Sequence, residues 1–400
     1  MDAVPSFFSF KKAKHTVILS YIENARLPTE KAHGTQIMKT CEALTRQGFE
    51  VTLTVPKRDN PISESDPFAY YGVEKTFDIR QLQVVDGLRR VPSCLWSLAF
   101  VLERITFVWQ VRRRLTQIER ADVLYTRDPV MAEALVKSRG PVVVELHDDP
   151  RNHARRWAVL KKKVRLWVVI SNALRDLLME EGIVSERICV APDGFDDSEF
   201  SHLPDRHAAR LKLRVDDHTR LFVYTGQLFP WKGWEDLASS FSLVPEGTRL
   251  VIIGGDERDR TRLLSRANEK LERVTFIPRV SHFDALTWLA AADAGILPTS
   301  AKFEIGRRFT SPLKLFEYLA AGLPMIASDV PSSHEILTEN EAIFFEPDNG
   351  SSFIQALQAF LQLSSEQVAR MSESARARSV EFSWRKRGER IASFIRERLR

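Results

Sequence analysis

Three cysteines in 400 residues, Cys41, Cys94 and Cys189, are too few and too far apart for a disulfide framework or a metal-ligand set. A reducing cytoplasm is the compartment that such cysteine usage fits. No apolar run reaches the roughly 18 residues of a membrane-spanning helix, so none is expected. Met1 to Lys14 has no long apolar stretch of the signal-peptide kind. There is no internal repeat, no H-E-x-x-H, no Walker loop, and no D-x-D metal pair in a supporting context. Charge of one sign is not in excess either. The 58 basic and 53 acidic residues leave a net charge of +5. That balance does not indicate nucleic acid, though it suits an anionic ligand or an anionic membrane surface.

What is present is an ordinary globular composition, 44% hydrophobic and 28% charged. At this length two domains are expected, each with its own core. Apolar strand-like runs alternate with helical patterns. Thr16 to Ser20 reads as a buried strand after a basic lead-in, Lys11 to His15. A loop through Gly34, a helix over about 35–47 and a strand over 51–55 complete a β-α-β unit. Pro61 to Asp86 reads as loop plus strand. Strands are expected at 122–126, 141–146, 167–170 and 188–192, then at 221–225, 250–253, 274–278 and 294–298. This pattern is the start and continuation of doubly wound parallel sheets. The chain turns polar over 196–206, where we place the domain boundary.

Three places carry polar groups at strand ends, where such folds bind ligands. Thr310 to Ser328 reads T-S-P-L-K-L-F-E-Y-L-A-A-G-L-P-M-I-A-S. Ser311 is suited to N-cap a helix, Pro312 to its first position, and Leu313, Phe316 and Ala320 to a buried face. Gly322 suits the left-handed stop, and Met325 to Ala327 a short strand. The helix N-terminus suits a phosphate. Glu317 lies about five residues further in, roughly 7 Å along the axis, in reach of the ribose of the same nucleotide. Second, Leu221 to Trp234 runs through Gly226 and Gln227 to Lys232-Gly233, and a lysine held in such a loop can pair with a diphosphate. Third, His147 ends the strand before H-D-D-P, beside two aspartates. Two cationic aromatic stretches remain. Val91 to Arg114 reads as a pair of core helices or, more sharply, as an interfacial helix with arginines on lipid phosphates. Ala154 to Trp167 is more simply a solvated face.

The Thr310–Ser328 stretch resembles the nucleotide-sugar signature of retaining glycosyltransferases of family four, which have the GT-B fold. Glu317 matches the second glutamate of the Glu-x7-Glu pattern, while Phe309 stands at the first. The S-P-L-K-x-x-E-Y form occurs in some members. G-Q-L-F-P-W-K-G resembles the family's G-R-x-x-x-x-K-G, with Gln227 in place of the arginine. E-L-H-D at His147, D-G-F-D at Asp193 to Asp196 and F-S-W at Phe382 to Trp384 resemble further family segments.

The resemblance implies an α/β, GT-B fold: two Rossmann-like doubly wound parallel-sheet domains with an interdomain cleft. Residues 1–198 would bind the acceptor, 199–375 the nucleotide sugar, and 376–400 would form a helix packing back on the first domain. The implied reaction is transfer of a sugar from a nucleoside-diphosphate sugar to a glycan or lipid-linked acceptor, in polysaccharide, lipopolysaccharide or glycolipid synthesis. No metal or other cofactor is implied. His147, Lys232 and Glu317 would be the catalytic residues. Gly34, Gly226, Gln227, Lys232, Thr310, Ser311, Pro312, Leu313 and Glu317 would line the donor site, and Arg279 and Val280 would meet the base. Arg307 or Arg308 would restore the charge that Gln227 omits. Lys31 and His33 join the Gly34 loop. The expected location is cytoplasmic, with peripheral contact at the inner face of an anionic membrane as a further expectation. A nucleotide-sugar epimerase, a non-catalytic binding protein and a membrane-surface scaffold are the alternatives.

Overall fold

The computed structural model describes residues 16–399, except 61, 63–65, 87–90, 115–119, 268–270 and 272. The Met1–Lys14 segment and the basic lead-in Lys11 to His15 lie outside the described residues. Two parallel sheets organise the rest. The first contains β1 (Val17–Ile22), β2 (Phe49–Lys57), β3 (Asp78–Gln83), β4 (Val123–Thr126), β5 (Val142–Leu146), β6 (Leu166–Val169) and β7 (Ile188–Val190). Its order is β3-β2-β1-β4-β5-β6-β7. The second contains β8 (Arg220–Thr225), β9 (Thr248–Ile253), β10 (Val274–Ile277), β11 (Ala294–Leu297), β12 (Met325–Ser328) and β13 (Ala342–Phe345). Its order is β10-β9-β8-β11-β12-β13. In each sheet the strand order reverses between the first and fourth strands, the place where such sheets open a crevice at their C-terminal ends.

Period-two side chains explain why both faces are covered. In β5, Val142, Val144 and Leu146 enter one core cluster and Val143 the other. In β8, Leu221 and Val223 face one layer, Phe222 and Tyr224 the opposite one. The covering helices of the first half are α1 (Ala32–Arg46), α2 (Pro67–Tyr71), α3 (Trp96–Arg113), α4 (Pro129–Leu135), α5 (Ala154–Lys163) and α6 (Asn172–Glu180). Those of the second are α7 (Arg206–Leu213), α8 (Glu257–Leu264), α9 (His282–Ala291), α10 (Leu313–Ala321), α11 (Gly350–Leu361) and α12 (Ser365–Ser379). The last helix, α13 (Trp384–Arg398), places Ile391, Ala392 and Ile395 in the core of the first half, beside Ile37, Cys41 and Leu44 of α1.

Two chain segments therefore join the halves, one after β7 and one before α13, and they lie against each other. Phe195 donates its amide to the Phe382 carbonyl at 3.1 Å and accepts from the Trp384 amide at 3.0 Å. A Cβ at Gly194 would stand 2.5 Å from the Phe382 carbonyl oxygen, so only glycine permits this approach.

Several local expectations change. Val91 to Arg114 is a single helix after a short 3-10 turn, not a pair. Strand β13, Ala342–Phe345, was not anticipated, because four apolar residues between polar turns give little period to read. Helix α1 starts at Ala32, so Gly34 lies in its first turn rather than in a loop. A Cβ there would meet the Tyr71 hydroxyl at 2.1 Å, and that hydroxyl donates to the Thr29 carbonyl. In α5, Trp157 is buried, Lys161 pairs with Glu181, and Arg156 pairs with Glu133. It is a solvated face, as its charge run suggested.

The second half is pinned by one buried charge. Arg210 donates to Asp293 at 2.7 Å and to the carbonyls of Ala291, Asp216 and Thr219. Asp293 also accepts from the Leu221 amide at 2.7 Å, fixing the start of β8. Asp293→Ala would leave that guanidinium buried and unpaired. A loss of about 3–5 kcal/mol is expected in chemical denaturation of the second half.

Candidate functional site

The C-terminal ends of β8 and β11 bring together the residues that the sequence spreads over ninety positions. Helix α10 is held against β8 by Tyr318, whose hydroxyl accepts from the Thr225 amide at 2.9 Å. Gly295 leaves the space for that ring. Its buried residues are Lys314, Leu315, Phe316, Tyr318 and Leu319 rather than the single face of Leu313, Phe316 and Ala320. The helix lies between the sheet and α12, so it is covered on two sides. Gly322 adopts the left-handed stop at φ 69°.

Ser311 does not cap α10, which begins after Pro312 without a side-chain cap. Its hydroxyl instead accepts from the Asp193 amide of the first half at 3.1 Å. No side chain caps the first turn of α10, where the Leu315 amide bonds the Pro312 carbonyl at 2.9 Å. Thr310 and Ser311 form the entry to the helix after a π-helical turn, Ile305–Phe309. Phe309, at the position of the absent first glutamate, is 2% exposed and packs in a core cluster of the first half with Leu146, Trp157 and Leu174. Arg307 and Arg308 turn toward Glu304 at the surface.

The cation beside Gly226 is one that the sequence reading passed over. Lys314 is buried, and its Nζ lies 3.4 Å from the centroid of the Tyr224 ring with no hydrogen-bond acceptor among the described residues. A Cβ at Gly226 would stand 2.8 Å from that Nζ. Tyr224 in turn donates to the Gln227 carbonyl at 2.6 Å, which shapes the loop. Lys232 lies over the Trp231 ring at 3.6 Å. Burial holds the Lys232 amine down to about 7. Burial first, and Lys232 second, holds Lys314 well below the usual lysine range. Both amines are thus held low, with no carboxylate bonded to either among the described residues. The signal for Lys314 was in the sequence: a lysine one turn before Glu317 on the same helix.

Glu317 is half-buried, and burial pushes its carboxyl up, with His282 and Lys314 opposing and Glu199 adding. His282, at the start of α9, bonds Glu199 at 2.8 Å. Burial would lower that imidazole, but Glu199 and Glu317 raise it to about 9. Arg279 donates to the Tyr70 hydroxyl of the first half at 3.0 Å, and Val280 is partly buried in the core beneath.

Across the cleft, Glu145 lies near the C-terminal end of β5 and His147 directly follows the strand. The imidazole Nε2 lies 2.5 Å from Glu145 Oε1. Glu145 is also bonded by Tyr125 and paired at 2.8 Å with Arg387 of α13. Burial alone would raise the Glu145 carboxyl, but Arg387 and then His147 hold it well below its usual range. Burial and Arg127 lower the His147 imidazole, with Glu145 opposing. Arg127 donates to Gln36 at 2.7 Å and its amide to Glu23 at 3.0 Å; burial and Asp128 push Glu23 up to about 8. His33 is lowered to about 4, by burial and then by Arg127 and Lys31. Glu335 of the second half accepts from the Asn172 and Ala173 amides at the start of α6. The halves therefore meet through Phe309, Ser311, Arg279, His282 and Glu335.

Comparison with known proteins follows this division. Residues 33–199 match the Glycosyltransferase Family 4 profile, and residues 205–378 the Glycosyl transferases group 1 profile. A GDP-mannose-dependent monoacylated alpha-(1-6)-phosphatidylinositol monomannoside mannosyltransferase of Corynebacterium glutamicum is 26% identical over 220 residues, 52% of this chain and 56% of that protein. D-inositol 3-phosphate glycosyltransferase of Mycobacterium tuberculosis is 26% identical over 228 residues, 56% of this chain and 44% of that protein. The chain thus spans about half the length of these curated relatives. The crystal structure of Anabaena HepE in complex with UDP and glucose superposes with a TM-score of 0.71 at 16% identity, over 96% of this chain and 100% of that one.

The His282–Glu199 contact gives a pH signature. A histidine raised from 6.5 to about 9 contributes stability that is full below about 6.5 and lost as pH rises through 9. The difference in melting temperature between wild type and His282→Gln is expected to be largest near pH 6 and to vanish above pH 9. A difference independent of pH would contradict the assignment.

Proposed function

Because the chain joins a Family 4 glycosyltransferase domain to a group 1 glycosyltransferase domain in one GT-B fold, we propose that it transfers a sugar from a nucleoside-diphosphate sugar to an acceptor hydroxyl with retention of anomeric configuration. The observation that carries this reading is the pair of lysines, Lys232 and Lys314, with no carboxylate bonded to either among the described residues, beside the first turn of α10, which no side chain caps. Burying the Lys314 ammonium beside Lys232 with no counter-charge is unfavourable unless an anion completes the site. A diphosphate does so, and it also accepts the amides near Leu313.

In the reaction, the bond from the anomeric carbon to the diphosphate oxygen breaks. The acceptor oxygen bonds to that carbon on the same face, and its proton passes to the departing diphosphate. Lys232, Lys314 and the α10 amides stabilise the charge that develops on the leaving group. Lys314 supplies the positive charge that Gln227 omits, rather than Arg307 or Arg308. Glu317 accepts the ribose hydroxyls, and the Arg279–Val280 loop meets the base. His147, oriented by Glu145, holds the sugar from the opposite half, so transfer follows closure. Gly226 and Gln227 line the phosphate loop, and Gly34 lies on the acceptor side. The relatives named above act on phosphatidylinositol mannoside and inositol phosphate, which supports a glycan or lipid-linked acceptor here. Work at the inner face of a membrane accords with such an acceptor.

The protonation state of Lys232 makes the reading testable. Its amine is largely uncharged above pH 7 in the free protein, and a bound diphosphate raises it again. Binding is therefore expected to take up protons at pH 8 and to weaken as pH rises above 7. Titration calorimetry with UDP, GDP, ADP, CDP and dTDP in two buffers of different ionisation enthalpy reads this uptake. One nucleotide should bind, with uptake reduced in Lys232→Met and affinity reduced about tenfold or more in Lys314→Met and in Glu317→Ala. Absence of binding by all five, or unchanged affinity in both lysine variants, refutes the proposed donor site. Binding with donor breakdown but no transfer to any hydroxyl would favour an epimerase.

A further inference from the structure

Helix α3 buries a stripe only one residue wide per turn: Ala99, Glu103, Phe107 and Val111. Phe107 and Val111 enter the core beside Ile22 and Leu82. On the opposite side, Leu98, Val101, Leu102, Ile105 and Trp109 follow one another at helical spacing and are 46–57% exposed. Trp96 and Phe100 are exposed at the same end. A surface helix ordinarily turns polar residues outward, and a contiguous apolar face of this kind marks a binding surface.

The charges on this helix are of one sign. Glu103 is the only acidic residue between Val91 and Arg114, and it is buried in a 2.6 Å ion pair with Arg58. The remaining charges are Arg104, stacked on Phe100 at 4.8 Å, Arg113, stacked on Trp109 at 5.2 Å, and Arg112 and Arg114. Exposed tryptophans interleaved with arginines, with no exposed acid, are complementary to a surface of apolar chains and negative headgroups.

Its position matters as well. Arg58 directly follows β2, and it also bonds Asn24, which follows β1. Glu103 therefore stands level with the C-terminal ends of the first sheet, and Trp96 to Leu102 reach past them, toward the side where the cleft opens. We infer that the outward face of α3 docks on an anionic lipid bilayer and sets the mouth of the cleft at that surface. The bilayer contact stands by itself; presentation of a lipid-borne acceptor rests on the transfer reading.

Co-sedimentation with phosphatidylcholine vesicles, with and without phosphatidylglycerol, tests it in the absence of nucleotide. Wild type is expected to sediment with the phosphatidylglycerol vesicles, less so as salt rises. The double variants Leu98→Glu with Ile105→Glu, and Arg112→Glu with Arg113→Glu, are expected to lower partitioning about tenfold or more. Their melting temperatures and nucleotide affinities are expected to match wild type, since these side chains are exposed and away from Lys232. Wild type remaining in the supernatant with both vesicles overturns the inference, as do variants that sediment like wild type. A dimer that Leu98→Glu with Ile105→Glu converts to monomer, without vesicle binding, overturns it in favour of a second copy as the occupant. A chain that binds vesicles yet no nucleotide refutes the donor site alone.

Discussion

The buried ion pair between Glu145 and Arg387 ties the architecture to the site. Glu145 ends a strand of the first sheet, while Arg387 arrives from the last helix, after the chain has completed the second half and returned. Neither charge is tolerable there without the other. Their contact docks α13, and the same carboxylate oxygen also bonds the His147 imidazole. Docking of the final helix and orientation of the strand-end histidine are thus one event. Thr40 of α1, which accepts from Arg387 at 2.8 Å, draws a third element into it.

The loop after β8 is built on the opposite condition. Lys314 is buried and Lys232 half-buried, neither has a carboxylate partner among the described residues, and their amines are held low in consequence. The Tyr224 ring lies against the Lys314 amine and the Trp231 ring against the Lys232 amine. A site that is uncomfortable when empty binds an anion more tightly than a pre-paired one, because no internal ion pair must first be broken. The Glu145–Arg387 and Arg210–Asp293 pairs are satisfied internally, one in each half, while Lys314 is left without a counter-charge.

Much of this was legible from short-range pattern. The alternation of strands and helices, the Gly322 stop and the stretch from Gly226 to Gly233 depend on neighbours in sequence. Ser311 was misread for a physical reason: a serine before a helix usually caps it, but here Asp193, more than a hundred residues earlier, takes the hydroxyl. Phe309 looked like a loss, the absence of a glutamate. Its ring is in fact seated in the core of the other half, where a carboxylate would be costly. Arg387 carried no local signal at all, since its partner Glu145 lies far earlier in the chain. Lys314 was visible and passed over, because a lysine on an amphipathic helix is ordinarily a solvated residue.

The side-by-side run of the two connecting segments bears on how the halves move. Phe195 is hydrogen-bonded both to Phe382 and to Trp384, and Gly194 lies close enough to exclude a side chain. A single linker would behave as a swivel, free to bend and turn in any direction. Two chains clamped together act as a door hinge, with one axis along their common length. Opening of the cleft is then a rotation of fixed direction, so Lys232 and His147 return to the same mutual register each time it shuts.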